Sequence, residues 1–395
     1  MRWEKISLRE VADFRNGINF DKSAYSSGVK LIGVSNFGER FSPDYEELQE
    51  VDPKVVRSDD FLIDGDIVFV RSNGNKELVG RCMLITEPKY SVTYSGFCIR
   101  ARIRDTNQYD PTFFTYYFKS SAFRKALSGN AVGTNIQNLS QDRLSSHIAY
   151  VPTIEMQRKI ASVLSAYDDL IENNQKQIKL LEEAAQRLYK EWFVDLRFPG
   201  HETTPIVDGV PDGWEIQTLS QIADVVMGQS PKSEFYNQDR QGLPFHQGVG
   251  SYGTRFVIDT TYSTSFTRIA EAGSILFSVR APVGRLNITK NKIVIGRGLA
   301  AINHRSGMQS YLFYLLKERF FKDNIIGNGA IFASISKDEL LGQKFIVPVD
   351  DLVKRFNTVV SDIDGKIAGL ENQIMLLTEA RDRLLPKLMS GEIEV

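Results

Sequence analysis

The sequence predicts an α+β protein with a pseudo-two-fold internal repeat: two similar β-rich domains, separated and joined by two long helices that pair as an antiparallel coiled coil. Three observations predict it. Landmarks at the start of the chain, Trp3-Glu4, Leu8, Val11-Ala12-Asp13 and Gly17, return as Trp214-Glu215, Leu219, Ile222-Ala223-Asp224 and Gly228. Each copy closes alike, with a Leu/Ile-Ser step (Leu139-Ser140, Ile335-Ser336) and a Val-Pro (Val151-Pro152, Val347-Pro348). A long heptad-patterned segment then follows in both. A domain and a helix repeated in tandem set two similar surfaces a fixed distance apart.

Taken in order, residues 1–155 read as short strands bounded by Gly, Asn and Ser, such as Asp66-Ile67-Val68-Phe69-Val70-Arg71. One aromatic helix interrupts them at about 111–128, opened by Asp110 as a cap and Pro111 in the first turn. Residues 156–195 form the first long helix. Residues 196–213 are a connector, because Phe198-Pro199-Gly200 and Pro211-Asp212-Gly213 cannot continue a helix. Residues 214–350 repeat the first scheme, with Ser274–Arg280 as the matching strand and 309–323 as the matching helix, and residues 351–395 form the second long helix. Gly65 to Arg71 pairs with Gly273 to Arg280, and Val79-Gly80-Arg81 with Val283-Gly284-Arg285. The loops between these landmarks differ in length and content, so one frame is expected to read two different things.

The helical stripes are regular. In the first, Ile160, Leu164, Tyr167, Ile171, Asn174, Ile178, Leu181, Ala185 and Leu188 step by four and three residues. In the second, Phe356, Val360, Ile363, Ile367, Leu370, Ile374, Leu377, Arg381 and Leu384 keep that rhythm. A seam sustained for about four heptads favours pairing of the two helices over packing of each on its own domain. Asn174 is either a solvated position or a polar seam residue that fixes register.

Composition excludes several classes. With 395 residues, two or three domains are expected, and 42% hydrophobic and 25% charged residues are ordinary for a globular chain. No apolar run reaches the roughly 20 residues of a membrane span, and the N-terminus does not resemble a signal peptide, so no membrane association and a cytoplasmic location are expected. Two cysteines, Cys82 and Cys98, argue against a disulfide framework, and the four histidines lack metal-ligand spacing. A net charge of -1 confines any polyanion surface to a local patch.

At the level of motifs the chain resembles the specificity subunits of type I restriction–modification systems, over essentially its whole length. The resemblance rests on Val151-Pro152, Glu155-Met156-Gln157-Arg158-Lys159-Ile160, Leu164, Asp168-Asp169 and Ile171-Glu172-Asn173-Asn174. It continues through Trp192-Phe193-Val194-Asp195, Ser278-Val279-Arg280-Ala281-Pro282-Val283-Gly284, Ile295-Gly296-Arg297-Gly298-Leu299-Ala300-Ala301-Ile302 and the ending Leu384-Leu385-Pro386-Lys387-Leu388-Met389-Ser390-Gly391. Val353 and Lys354 depart from it, standing where the first copy has Gln157 and Arg158. The resemblance implies two target recognition domains, each reading half of a split sequence in double-stranded DNA, with the helix pair as ruler. It also implies partners: two modification (methyltransferase) subunits binding S-adenosylmethionine, and restriction/translocase subunits using ATP and Mg²⁺. No cofactor, metal or catalytic residue is implied in this chain. Trp192 and Phe193 are candidate anchors for those partners, or else buried at a helix–domain junction.

Arginine suits bidentate contact with guanine, and Asn or Gln with adenine, so loops that follow framework strands supply the candidate DNA contacts. In the first domain these are Arg71, Asn73, Asn75, Lys76, Arg81, Asn135, Gln137 and Asn138; in the second, Arg255, Arg280, Arg285, Asn287, Lys290, Arg297 and Asn328. Arg71/Arg280 and Arg81/Arg285 recur, which marks them for the scaffold or for phosphate, and leaves base choice to the non-matching residues. A seam of roughly 30 residues is about 45 Å long, somewhat more than one turn of B-DNA. Three other features read as structural. The aromatic stripe Phe113-Phe114-Tyr116-Tyr117-Phe118 is core at helical spacing. The cysteines are buried thiols. Gly248-Val249-Gly250-Ser251-Tyr252-Gly253 satisfies G-x-G-x-x-G without the flanking strand and helix that nucleotide binding needs. The alternative is a repeat coiled-coil scaffold whose β-rich domains bind protein or carbohydrate.

Overall fold

The computed structural model describes residues 3–38, 40–75, 78–128, 138–320 and 334–395. Two compact units result, Met1–Gln175 with Glu371–Val395, and Lys176–Leu370. The division cuts through both long helices, so each unit holds one β-rich domain and a stretch of each helix.

In the first unit the order is β1 (Glu4–Ser7), α1 (Leu8–Val11), β2 (Ala12–Asn16), β3 (Tyr25–Ile32), β4 (Gln49–Val51), β5 (Ile67–Val70), β6 (Cys82–Leu84), β7 (Val92–Tyr94) and β8 (Cys98–Ile103). Then come α2 (Pro111–Lys119), α3 (Ser121–Ser128), α4 (Gln141–Ser145), β9 (Ile148–Val151) and the start of α5 (Ile154–Tyr189). An antiparallel sheet of order β2-β8-β5-β6 is the frame, beside a three-stranded sheet β4-β3-β7 and the pair β1–β9. Frame strands β5, β6 and β8 are short and largely buried, Ile67–Val70 on all four residues, which is why apolar runs rather than strict alternation mark them, while the edge strand β2 is buried only at Ala12.

The chain continues as β10 (Ile206–Val207), β11 (Val210–Pro211), β12 (Glu215–Thr218), α6 (Leu219–Ile222), β13 (Ala223–Met227), β14 (Tyr236–Asn237), β15 (Leu243–His246), β16 (Tyr262–Ser263) and β17 (Ile269–Ala270). It ends as β18 (Ile275–Ser278), β19 (Leu286–Ile288), β20 (Ile293–Ile295), β21 (Leu299–His304), α7 (Gln309–Phe320), α8 (Lys337–Leu341), β22 (Lys344–Val347) and α9 (Asp350–Ser390). Within the second unit the frame is β13-β21-β18-β19 and the pair is β12–β22, the same plan as before. The flanking sheet is larger, five strands in order β14-β16-β15-β20-β17. Parallel pairing persists in both flanking sheets, β3 with β7 and β15 with β20.

The repeated landmarks have local causes. Asp110 caps α2 by accepting the Phe113 N–H at 2.8 Å, and the aromatic stripe is core, with Phe113, Phe114, Tyr116 and Phe118 buried. The Ser of each Leu/Ile-Ser step is an N-cap: Ser140 Oγ accepts the Arg143 N–H, and Ser336 forms a full capping box with Glu339. Each Val-Pro ends a strand two residues before a long helix begins. Cys82 and Cys98 are buried free thiols in β6 and β8, and burial pushes them up to about 11 and about 12.

The two long helices run antiparallel in both units. In the first, Asn174 Nδ2 donates to Gln373 Oε1 at 3.2 Å and Asp168 pairs with Arg381. In the second, the rings of Tyr189 and Phe356 meet at 5.8 Å. Ile160, Leu164, Ile171, Asn174, Ile178, Phe356, Val360, Ile367 and Leu370 are buried, and Leu181, Leu188, Ile363, Ile374, Leu377 and Leu384 are half-buried. The ends of each stripe also join the adjoining domain's core: Ile160 and Leu164 in the first unit, Phe356 and Val360 in the second. Trp192 and Phe193 are half-buried and pack at the second unit's junction, Phe193 against Trp214, Tyr311 and Phe356, which is the second of the two places the sequence left open for them.

One helix-to-helix cap is solved twice. Buried Gln157 accepts the Asp110 N–H at 2.9 Å and donates to the carbonyls of Gln108 and Pro152, holding the start of α2. In the second copy Val353 takes that position, and Asn357, one turn further on, accepts the Tyr311 N–H at 3.2 Å.

Replacing Asn174 with Leu should raise the melting temperature, by a gain of about 1 kcal/mol, because it removes a buried amide from an apolar seam. Thermal denaturation followed by circular dichroism reads this. A second expectation concerns His147, which bonds the Tyr117 hydroxyl at 2.8 Å and whose charging is disfavoured by burial. Its folded pKa lies below its unfolded value, so it costs stability as pH falls below about 6.5. His147→Gln should therefore flatten the decline in melting temperature from about pH 7 to about pH 5, in part only, because burial also lowers His304.

Candidate nucleic-acid interface

The frame sheet gathers four chain segments at one end. Antiparallel pairing of β8 with both β2 and β5 puts Asn16 opposite Ile99 and Val70 opposite Cys98, while β6 begins beside Phe69. The turn leaving β2, the turn entering β8, the loop leaving β5 and the residue before β6 therefore emerge together. Residues 138–139 join them: Ser72 bridges Asn138, and the Leu139 N–H donates to Arg71 O at 2.8 Å. The second unit repeats these contacts, with Arg280 bridging Ser334 and the Ile335 N–H donating to Val279 O at 2.9 Å.

Two glycine positions make the end possible in both copies. A Cβ on Gly17 would lie 2.3 Å from the Ser95 carbonyl oxygen, and one on Gly228 would lie 2.1 Å from that of Gly296. Gly80 and Gly284 take φ of 81° and 88°, which lets Arg81 and Arg285 close the turn onto Val70 and Ser278.

Register corrects one pairing read from sequence. Arg81 and Arg285 are equivalent, since Val70 N–H donates to Arg81 O and Ser278 N–H to Arg285 O. Arg71 and Arg280 are not. The bridges make Ser72 the counterpart of Arg280, and Arg71 the counterpart of Val279. One residue of offset turns a side chain to the other face of a strand. Arg71 is accordingly half-buried, its guanidinium donating to Gly96 O at 3.2 Å, whereas Arg280 is exposed.

The remaining candidates divide by position. Asn73 is half-buried and its Oδ1 accepts the Asn75 N–H at 3.0 Å, a turn that presents exposed Asn75. Arg81 is half-buried, with its Nε buried and without a hydrogen-bond partner among the described residues. Asn138 is exposed beside them. Lys76, Asn135, Gln137 and Asn328 lie outside the described residues. In the second unit Arg280 and Arg297 are exposed and Arg285 half-buried. Arg297 opens onto a recess of about 750 Å³ also lined by Gln229, Ser230, Lys232 and Gln247. Gln229, Lys232 and Gln247 escaped the sequence reading. Their signal is adjacency: Gln229 follows Gly228, Lys232 follows within the same turn, and Gln247 follows strand β15.

Two candidates are corrected by burial, and a third stands apart from the others. Arg255 is 2% exposed, with Asp364 2.5 Å away and Glu182 3.8 Å away, so its guanidinium is engaged in the interior. Asn287 is 1% exposed and donates to Gly253 O at 3.0 Å, as a strand residue of the frame. Lys290 is exposed but lies over the Phe256 ring at the opposite end of β19 from Arg280 and Arg297. The Gly248–Gly253 segment is a 3-10 turn followed by a bridge from Tyr252 to Val257, without the helix that would hold a pyrophosphate. No group of three or more His, Cys, Asp or Glu could hold a metal ion among the described residues, and no helix there is long and apolar enough to cross a membrane.

A frame used twice, with different Arg-, Asn- and Gln-bearing loops at the same end, defines a duplicated recognition protein. The family model of the type I restriction modification DNA specificity domain matches residues 1–183 and again 211–375, and the chain belongs to that family. It is 29% identical to the putative specificity subunit of the type I restriction enzyme MjaX of Methanocaldococcus jannaschii, over all of this chain and 94% of that one. It is 23% identical to the HindI specificity subunit of Haemophilus influenzae, over 99% of both chains. The crystal structure of the S subunit of a type I restriction–modification system from M. genitalium shares the fold, with a TM-score of 0.60 at 18% identity, over 98% of this chain and 96% of that one. DNA sequence recognition is the family's work.

Arg297→Ala should relax or weaken recognition by the second domain by about 1–3 kcal/mol if Arg297 holds a guanine edge. A uniform loss across sequences, with a salt dependence reduced by about one contact, would place Arg297 on a phosphate instead. Fluorescence-anisotropy titrations on cognate and mismatched duplexes at two salt concentrations separate the two outcomes.

Proposed function

We propose that this chain reads a split target in duplex DNA, one half at the frame end of each β-rich domain, and that the paired helices act as the spacer ruler. The observation that supports this reading is the repetition of the same sheet end in both units with non-matching polar side chains: Asn73, Asn75 and Asn138 in one, Gln229, Gln247 and Arg297 in the other. A half-site of a few base pairs is too permissive alone, since each good bidentate contact discriminates by only about 1–3 kcal/mol. Two halves held at fixed spacing multiply their selectivity.

In this reading the chain contributes recognition and no chemistry. It works in the cytoplasm as the scaffold of a complex, with two modification subunits that bind S-adenosylmethionine and restriction/translocase subunits that use ATP and Mg²⁺. With a net charge of -1, affinity comes from local cationic loops rather than from the whole surface.

The ruler is tested by lengthening it. Four residues added between Gln175 and Lys176, and four between Leu370 and Glu371, extend each helix by about 6 Å and keep the stripes nearly in phase. Single-molecule methylome sequencing of cells carrying this chain with its modification subunit should then show a split motif whose spacer is longer by about two base pairs, with both halves unchanged. An unchanged spacer would sink the ruler.

A further inference from the structure

The two units solve one electrostatic problem differently. On the aromatic helix, Tyr116 of α2 and Tyr314 of α7 hold equivalent places, and on the long helices so do Asp168 of α5 and Asp364 of α9. Tyr116 donates to Asp168 Oδ2 at 2.5 Å, and Tyr314 donates to Asp364 Oδ1 at 3.5 Å. Each carboxylate is mostly withdrawn from water and needs a cation. In the first unit the cation is Arg381, from the opposite long helix. The corresponding position of α5 in the second unit is Ala185, which is fully buried and carries no charge.

Arg255 fills the vacancy from a different direction. It comes from the segment between β15 and β16, donates to Asp364 at 2.5 Å, and lies over the Phe313 ring at 3.7 Å. That segment is stitched to the edge of the frame sheet. Ile288 N–H donates to Arg255 O at 3.0 Å, Val257 N–H to Ile288 O at 3.1 Å, and Asn287 Nδ2 to Gly253 O. The strand so gripped, β19, begins immediately after Arg285 at the sheet end that carries Arg280 and Arg297.

We propose that Arg255 is a positioning residue for the second recognition domain: it locks frame strand β19 and the adjoining reading loops onto α9, a tie that the first domain replaces with a helix-to-helix ion pair. The inference rests on the split-target reading for its functional meaning. Its geometry is independent of that reading. Two roles are joined in one side chain, neutralising Asp364 and fixing the domain's seat, and they are separable because the first unit shows how to supply the charge alone. Ala185→Arg places a guanidinium where Arg381 stands in the other copy, and Arg255→Ala clears space beside a cavity of about 410 Å³ lined by Glu182, Arg255 and Phe313.

The test uses the full chain with its modification subunit and compares wild type, Arg255→Ala, and Arg255→Ala with Ala185→Arg. Melting temperature and the methylated motif are read for each. Arg255→Ala should melt earlier and methylate sites altered in the second domain's half about tenfold more readily relative to cognate sites, with the first half held as in wild type. The double variant should recover melting temperature but not second-half discrimination. If Arg255→Ala is insoluble, the double variant alone decides. Wild-type discrimination in Arg255→Ala, equal relaxation of both halves, a double variant that regains second-half discrimination, or one that does not recover stability each overturns the proposal. The wild-type motif, read in parallel, tests the split-target reading separately, because a continuous motif there would fail that reading while leaving the stability comparison intact.

Discussion

Strands Cys98–Ile103 and Leu299–His304 are hydrogen-bonded along both edges, and the rest of each unit depends on that. Where a strand is paired on both sides, over Ile99–Ala101 and Ala300–Ile302, its backbone groups are committed to its neighbours, which fixes their register and the position of the strand's end. The segments arriving and leaving at that end are then brought together irrespective of their sequence. An aromatic helix covers one face of the sheet, and the long helices pack on that helix in turn, through Gln157 and Asp168 in one unit and Asn357 and Asp364 in the other. Loop content can vary where the loops make no bonds back to the frame of the kind that the segment around Arg255 makes to β19.

Variation nonetheless reaches below the loops. Asp66, fully buried, takes a two-pronged contact from Arg102, whereas Ser274 stands at the equivalent place and its N–H meets Thr289 Oγ1 at 3.0 Å. A charged pair in one copy is a neutral hydroxyl contact in the other. The larger second flanking sheet, the shifted helix cap and the relocated arginine belong with it. Each is a local polar requirement met by whichever residue can reach it.

The parts legible in the sequence were those with local causes. Apolar runs gave the frame strands, the four-three rhythm gave the seam, and Asp110 announced a helix start because a cap acts within one turn; Ser140 and Ser336 stood out only as repeated landmarks, and their capping is a finding of the structure. Register across a sheet has no such signature. Arg71 and Arg280 looked equivalent because both follow an apolar run, and only the pairing with residues far along the chain shows them one step apart. Arg255 and Asn287 looked like loop and surface residues for the same reason: burial of a polar side chain is decided by partners, Asp364 and Gly253, that are distant in sequence. Gln229 and Gln247 were passed over because they reach one recess only after the sheet has formed.

The duplicated cap has a consequence for how such a protein can be taken apart and rebuilt. Gln157 and Asp168 serve α2 from inside the long helix, and Asn357 and Asp364 serve α7 likewise, so a graft of either domain cut at its Val-Pro would sever it from its own supports. Seated on the other helix, the first domain would find Val353 where its cap requires an amide. The second would find Arg381 already facing the carboxylate that its own arginine is built to meet. The natural cassette is therefore a domain together with the turns of helix beneath it, and the residues that choose DNA travel with residues that never touch it.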